Sequence, residues 1–479
     1  MKYIPILFGC LLGLSACTSQ FGEINTNPND PIDVQPDLLL RQVIFDYGEE
    51  MSYEGFVAGN LLGQQFAMID FNLFDRHSLT EPQFGGNPWP VLYTTLRDNE
   101  ILLNKALDNP TFAVYEGPAR ILKAYVAMAL TDLFGDVPYS QALQGKEGNV
   151  TPVYDAQEEI YTGEGGILEN LVRAAAAIDS YTGSIPLNGD ILYSGDLASW
   201  KRFANSLHIK ALMRISDARN VSADLQALVD GGDYLMENSQ NAAFDFTNSA
   251  PNNFRMANLR TGDFNLFIMS ETMEEILTDL NDPRQEVWFR PTQHDPSLYA
   301  GLLNGPDASQ LSISVADFSL TGTIFREETG RLDANFLTSW ETLFFLAEAA
   351  ERGLITADGQ GLYEEAVEQA FAYWGTSLPA DYLTTGNAAY DASGKDPIQQ
   401  IITQKWLANV TNSYEGWIEY RRTGFPELKT ISASLNDDLI PIRLPYPADE
   451  QALNARNYET ASTSTNGNSV NARVWWDRQ

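Results

Sequence analysis

Amphipathic helical periodicity, closed at its ends by proline and glycine, constrains this chain more than any other feature. From Leu38 onward apolar residues recur at three- and four-residue steps, the spacing that lines one face of an α-helix. Pro118 stands where a first helical residue tolerates proline. Leu122, Tyr125, Val126, Ala129 and Leu133 follow, and Gly135 with Pro138 stops the run. Leu168, Leu171, Val172 and Ala175 repeat the pattern. Ser199 is placed to cap a helix burying Phe203, Leu207, Ala211 and Ile215. Trp89 and Tyr93 open a helix running through Leu96, Ile101 and Leu102, so their spacing assigns them to the core. Leu343, Phe344, Ala347 and Ala350 end at Gly353, and Tyr363, Ala366, Val367, Ala370 and Trp374 end at Gly375. Small residues such as Ala347 and Ala366 on facing stripes let these last two helices approach closely, as in a tetratricopeptide-like hairpin. The expected fold is mainly α, built from degenerate hairpins, because no strict 34-residue period runs through the whole chain.

Two stretches interrupt the pattern, about 64–90 and 247–338. Both are rich in aromatic residues, Gly, Asn and Asp, and both read as long irregular insertions, where binding usually resides. The remaining body, 37–479, reads as one domain. At the start, Lys2 and the apolar run Ile4 to Leu14 precede Leu14-Ser15-Ala16-Cys17, the order of a secretory signal. The apolar run is shorter than the roughly 20 residues that a spanning helix needs. Leu14-Ser15-Ala16-Cys17 resembles a bacterial lipobox, which implies cleavage before Cys17 and fatty acylation, palmitate included, of its sulfur and new amino group. Removing 1–16 from 479 residues leaves 463 with one cysteine, so stability comes from burial and not from disulfides. Residues 17–36, carrying Asn25-Thr26-Asn27-Pro28, read as a lipidated start and flexible tether. A net charge of −34 disfavours nucleic acid and electrostatic adhesion to anionic lipid, so membrane attachment falls to the lipid.

A series of motifs then carries a family resemblance. Leu133-Phe134-Gly135-Asp136-Val137-Pro138, Gly195-Asp196 before Trp200-Lys201-Arg202-Phe203, and Asn281-Asp282-Pro283-Arg284 stand in order along the chain. Leu346-Ala347-Glu348-Ala349-Ala350, Gln404-Lys405-Trp406, Glu415-Gly416-Trp417, Arg421-Arg422-Thr423-Gly424, Leu439-Ile440-Pro441-Ile442-Arg443 and Val474-Trp475-Trp476-Asp477 follow. Each is weak alone, but together they resemble SusD/RagB lipoproteins over essentially the whole mature chain. The resemblance implies an outer-membrane, surface-exposed lipoprotein that captures oligosaccharide, or peptide, for a SusC-type TonB-dependent transporter. By location it points to the two insertions as the walls of the ligand site, and no residue-level motif fixes individual contacts.

A sugar offers hydroxyls and weakly apolar C–H faces, so its site needs aromatic rings and Asp, Asn or Arg side chains. The first insertion supplies Phe66, Asp70, Phe71, Asn72, Phe74, Asp75 and Arg76. The second supplies Arg260, Phe264, Tyr299 and Phe325, with Arg255, Asn258, Phe267 and Asn304 of similar chemistry. Phe66, Phe71 and Phe264 could instead pack the insertions onto the helical body. Trp406, Trp417, Arg421 and Arg422 read as structural, with cation-π contacts and ion pairs, and Trp475 and Trp476 as anchors of the tail after a mobile loop at 460–469.

Catalysis is not expected. A glycosidase needs two carboxyls about 5 to 10 Å apart across a cleft, and 64 acidic residues furnish accidental candidates such as Asp70 with Asp75. A carboxylate-dependent glycoside hydrolase therefore stands as the lesser alternative. His77, His208 and His294 are the only histidines, and no Gly-x-Ser-x-Gly, His-Glu-x-x-His, P-loop or dinucleotide fingerprint occurs. No cofactor is expected. Loop carboxylates could assemble a structural Ca2+ site, without any EF-hand-like run.

Overall fold

The computed structural model describes residues 34–80, 84–307, 314–391 and 394–478. The signal, Cys17 and the tether as far as residue 33 lie outside them. Pro36 occupies the first turn of helix α1 (Pro36–Glu54), where its missing N–H costs nothing, and Leu39, Leu40, Val43, Ile44, Tyr47 and Met51 form its buried stripe. Helices α2 (Trp89–Asp108), α3 (Glu116–Phe134), α4 (Ile167–Ser180) and α5 (Leu197–Arg214) follow, each packed on the one before. Within the second insertion lies α6 (Glu271–Leu280). Then come α7 (Ser339–Glu351), α8 (Gly359–Tyr373), α9 (Pro397–Ala408), α10 (Glu415–Thr423) and α11 (Ala455–Ser464). α7 is the hub of this second group: it packs on α5, α8 and α9, and α9 carries α10.

The hairpin of α7 and α8 follows its sequence signals closely. Ala347 and Ala366 are both fully buried, and Gly353 and Gly375 take the left-handed conformation just past the two helix ends. Elsewhere the signals mislead in detail. Asp196, not Ser199, caps α5, accepting from the Ala198 and Ser199 amides at 3.2 Å. Thr460 to Ser464 belong to α11, so the first half of the expected loop at 460–469 is helical. The second insertion contains α6, whose Thr272, Met273, Leu277 and Leu280 are buried at helical spacing. Pro36, expected as the end of the tether, begins α1.

Strands are few and short among the described residues. β2 (Val137–Pro138) pairs with β3 (Tyr154–Asp155), and β4 (Ala242–Asp245) pairs with β6 (Asp333–Leu337). β1 (Phe66–Met68) pairs antiparallel with β5 (Phe267–Met269), setting Phe66 opposite Met269 and Met68 opposite Phe267. This last ladder joins the two insertions.

At the centre of the helices sits a buried ionic lattice. Arg214 of α5 reaches Asp132 of α3 at 3.0 Å and Glu415 and Glu419 of α10 at 2.8 Å each. Lys210 holds Glu341 of α7 and Glu415 at 2.8 Å. Arg422 grips Glu348 and Glu419 at 2.5 and 2.6 Å, and Lys405 lies 3.1 Å from Glu419. Burial alone would raise the Glu415 carboxyl, but Arg214 and Lys210 outweigh it and hold its pKa down at about 2. The Arg421 guanidinium lies 4.5 Å from the Trp417 ring and 4.7 Å from Trp476, and Trp406, Trp417 and Trp476 are fully buried. Arg421, Arg422 and the three tryptophans are thus structural, as their setting in the sequence indicated.

Candidate ligand-binding site

The first insertion is positioned by an irregular extension of α1. A π-helical turn, Gly55–Gly59, lets the loop at Thr411 and Ser413 press against the backbone. A Cβ on Gly55 would meet the Ser413 amide nitrogen at 2.6 Å, and one on Gly59 the Ser413 carbonyl oxygen at 2.1 Å. Only glycine admits that approach. The chain then turns at Gln64, whose amide donates to the Lys429 carbonyl at 2.7 Å and accepts from Thr272 Oγ1 at 2.7 Å. From there it enters β1.

Beyond β1 the chain reverses at Asp70 and Phe71. The Phe71 amide donates to Asp70 Oδ1 at 2.8 Å, and Phe71 adopts a φ of +52°. Its ring is 58% exposed. A left-handed backbone costs a non-glycine residue about 1–3 kcal/mol, and leaving a phenyl ring in water forgoes about 1.5–3 kcal/mol of burial. Phe71 thus carries two local costs at one residue.

The residues after Phe71 fold back inside. Asn72 Nδ2 donates to the carbonyls of Met68 at 3.1 Å and Pro306 at 2.6 Å. Asp75, buried, accepts from the Met68 amide at 3.1 Å, Asn304 Nδ2 at 2.6 Å and the Gly305 amide at 2.8 Å. Burial raises its pKa to about 6 despite those three donors. Arg76 stays half-buried: its Nε donates to the Ala433 carbonyl at 2.9 Å and its guanidinium lies 4.0 Å from Asp307. Asn72, Asp75 and Arg76 therefore bind the first insertion to residues 304–307 of the second. Asp70 and Phe71 form the exposed tip of that joint body.

Several expected contacts are corrected by their burial. Phe66, Phe264 and Phe325 surround Phe56 at centroid distances of 4.9, 6.0 and 5.4 Å and present no free face, so they glue the insertions to α1's extension. Phe74 is enclosed against Gly86, where a Cβ would come within 2.3 Å of its ring. Asn72 and Asp75 are consumed by the hydrogen bonds just described. The bland reading, packing, wins for Phe66 and Phe264 because each ring gains more from the aromatic cluster than from a wet surface. Arg260 is exposed and pairs with Asp263 at 2.8 Å, away from the core, and Tyr299 is half-buried against it. Arg255 covers the Tyr53 ring at 4.2 Å and pairs with Glu50. Asp307, next to Arg76, was not among the expected residues. Its only signal is the turn-like run Asn304-Gly305-Pro306-Asp307.

A family model described as starch-binding and associating with the outer membrane matches residues 28–447. The chain belongs to the SusD-like family. Its fold is also that of solved SusD homologues. One from Bacteroides fragilis NCTC 9343 shares 23% identity over 93% of this chain and 100% of that one, with a TM-score of 0.79. A chitin-binding protein shares 24% over 93% and 100%, with a TM-score of 0.80. A chitin-binding SusD homologue from Flavobacterium johnsoniae shares 24% over 92% and 98%, with a TM-score of 0.76. No curated protein matches the sequence.

In this SusD-like chain the suspected carboxylate pair does not face a common cleft, since Asp70 lies at the surface and Asp75 is sealed under Asn304 and Gly305. Burial lowers the pKa of His77 to about 4, and likewise that of His208. His77 faces the Leu439 carbonyl at 3.2 Å, and His294 pairs with Asp317 at 2.6 Å. Among the described residues no group of three or more His, Cys, Asp or Glu is placed to hold a metal ion, and no helix is long and apolar enough to cross a membrane.

Proposed function

We propose that this SusD-like chain is a non-catalytic binding lipoprotein that captures a neutral oligosaccharide at the Asp70–Phe71 tip. It delivers the sugar to a SusC-type TonB-dependent transporter, and lipid on Cys17 holds it at the outer membrane, exposed at the cell surface. The observation that carries the site is the 58% exposed Phe71 ring on a left-handed backbone. An exposed ring can stack on a sugar's C–H face while Asp70 accepts from its hydroxyls, with Arg76 and Asp307 flanking. The starch-binding description of the family and two chitin-binding structural relatives support the ligand class. A basic peptide is the second reading, favoured by the net charge of −34 and by the carboxylates Asp70 and Asp307. Isothermal titration of the lipid-free chain against starch and chitin oligosaccharides and a lysine-rich peptide tests both. Saccharide binding that is weakened in Phe71→Ala supports the first reading, and heat from the peptide alone supports the second. Reducing ends released during titration would revive the hydrolase.

A further inference from the structure

A cavity remote in sequence from the Asp70–Phe71 tip lies between α6 and α9, with the segment at Pro426 to Lys429 along its edge. Its volume is ≈ 320 Å³, at the small end of the range of about 300–1,000 Å³ typical of small-molecule sites. Amides and hydroxyls dominate one wall: Gln399, Gln400, Thr403 and Gln404 project from α9, and Asn387 joins them. Ile276, Leu280 and Pro426 supply the apolar part of the lining.

Two observations select the ligand. First, the charges around the cavity are largely spent on one another. Lys395 pairs with Asp279 at 2.6 Å, and Lys429 pairs with Glu271 at 2.7 Å and Glu275 at 2.5 Å. Of the lining groups, three carboxylates, Glu275, Asp279 and Glu427, face two ammonium groups, so an anion finds no welcome. Second, Gln400 is 95% buried, and its Nε2 has no hydrogen-bond partner among the described residues. A buried amide donor without an acceptor is unfavourable, and a turn of the Gln400 side chain toward the cavity would let a ligand oxygen satisfy it. Gln404, by contrast, is already engaged by Arg284 and Tyr382 at 2.8 Å each, so it fixes the wall and is not the free donor.

We propose that this cavity is a second saccharide subsite. It takes a neutral mono- or disaccharide whose hydroxyls meet Gln400, Gln399 and Thr403 while its C–H face rests on Ile276 and Leu280. The ligand class rests on the glycan reading above, but the site does not share residues with the tip.

Hydrogen–deuterium exchange of the lipid-free chain, with maltose, cellobiose and N,N′-diacetylchitobiose as probes, separates the two. The expected result is protection of residues 271–280 and 397–408, retained in Phe71→Ala. In Gln400→Leu the affinity behind that protection falls about three- to tenfold, the effect of one lost hydrogen bond. Thr403→Val provides an independent, nearly isosteric loss should Gln400→Leu fail to fold. Protection confined to residues 66–76 and 304–307 overturns the second subsite and leaves the tip reading standing. Protection confined to 271–280 and 397–408 does the reverse. No protection of 271–280 and 397–408 with any of the three sugars, or protection there unchanged in both α9 variants, also overturns the proposal.

Discussion

Replacing Phe71 with alanine removes a ring that its own fold hardly uses. Sugar affinity is expected to fall about three- to tenfold, the equivalent of 0.5–1.5 kcal/mol of aromatic contact, with the melting temperature unchanged. Phe71→Gly should weaken binding equally yet raise stability by about 1 kcal/mol, because glycine takes a φ of +52° without strain. Calorimetric titration and thermal melting read the two effects separately. Glu54 offers a different test. Burial raises its pKa to about 7, although the Tyr414 hydroxyl and the Gly86 amide both donate to it. The folded chain then binds its proton more tightly than the unfolded chain, so its contribution to stability is complete below the ordinary carboxyl pKa and is lost as pH rises through about 7. Urea midpoints should decline between pH 5 and pH 7, and Glu54→Gln should flatten that decline; Asp75, raised to about 6, adds a smaller slope of the same sign. Of these residues, the chemistry of Asp70, Phe71 and Arg76 was legible in the sequence, but which rings are wet was not. Phe66 and Phe71 have the same side chain five positions apart, and only the pairing of β1 with β5 decides that one is sealed and the other exposed.

At the scale of elements, the helices were the readable part. Glycine stops and three- to four-residue spacing located α7 and α8 because both signals are local. The ladders escaped notice because strands of two to five residues carry too few positions to display a period of two. α6 was hidden for a related reason: its buried stripe spans only ten residues inside an Asn- and Gly-rich stretch. The ionic lattice tying α3, α5, α7, α9 and α10 together makes its own prediction. Arg214→Met would strip Asp132 of its ion pair in a dry interior and leave Glu415 to Lys210 and Glu419 to Lys405 and Arg422. The expected loss is about 3–5 kcal/mol in urea unfolding. A change below 1 kcal/mol would mean that these groups are solvated. Charged residues on α10 look like surface positions to any hydropathy argument, and only the family-like run Glu415 to Gly424 suggested otherwise.

For the whole molecule, anchoring and partnership remain the proposals to test in cells. Cys17→Ser is expected to shift the protein from the membrane to the soluble fraction with an unchanged melting temperature, since Cys17 stands well before helix α1 in the sequence. Retention in the membrane fraction would refute the anchor. Detergent extraction of the native protein should bring down a TonB-dependent barrel in comparable amount. The tip depends on the union of two insertions that are far apart along the chain. Met68 finds its strand partner Phe267, and Asp75 its donors Asn304 and Gly305, only once about two hundred further residues have been made. During synthesis the early segment must therefore wait, unfinished, for the late one. Contacts of such long sequence separation slow folding, so a nascent chain halted before residue 300 would leave the Asp75 carboxylate and the Phe56 ring cluster open to water and to any chaperone that escorts it.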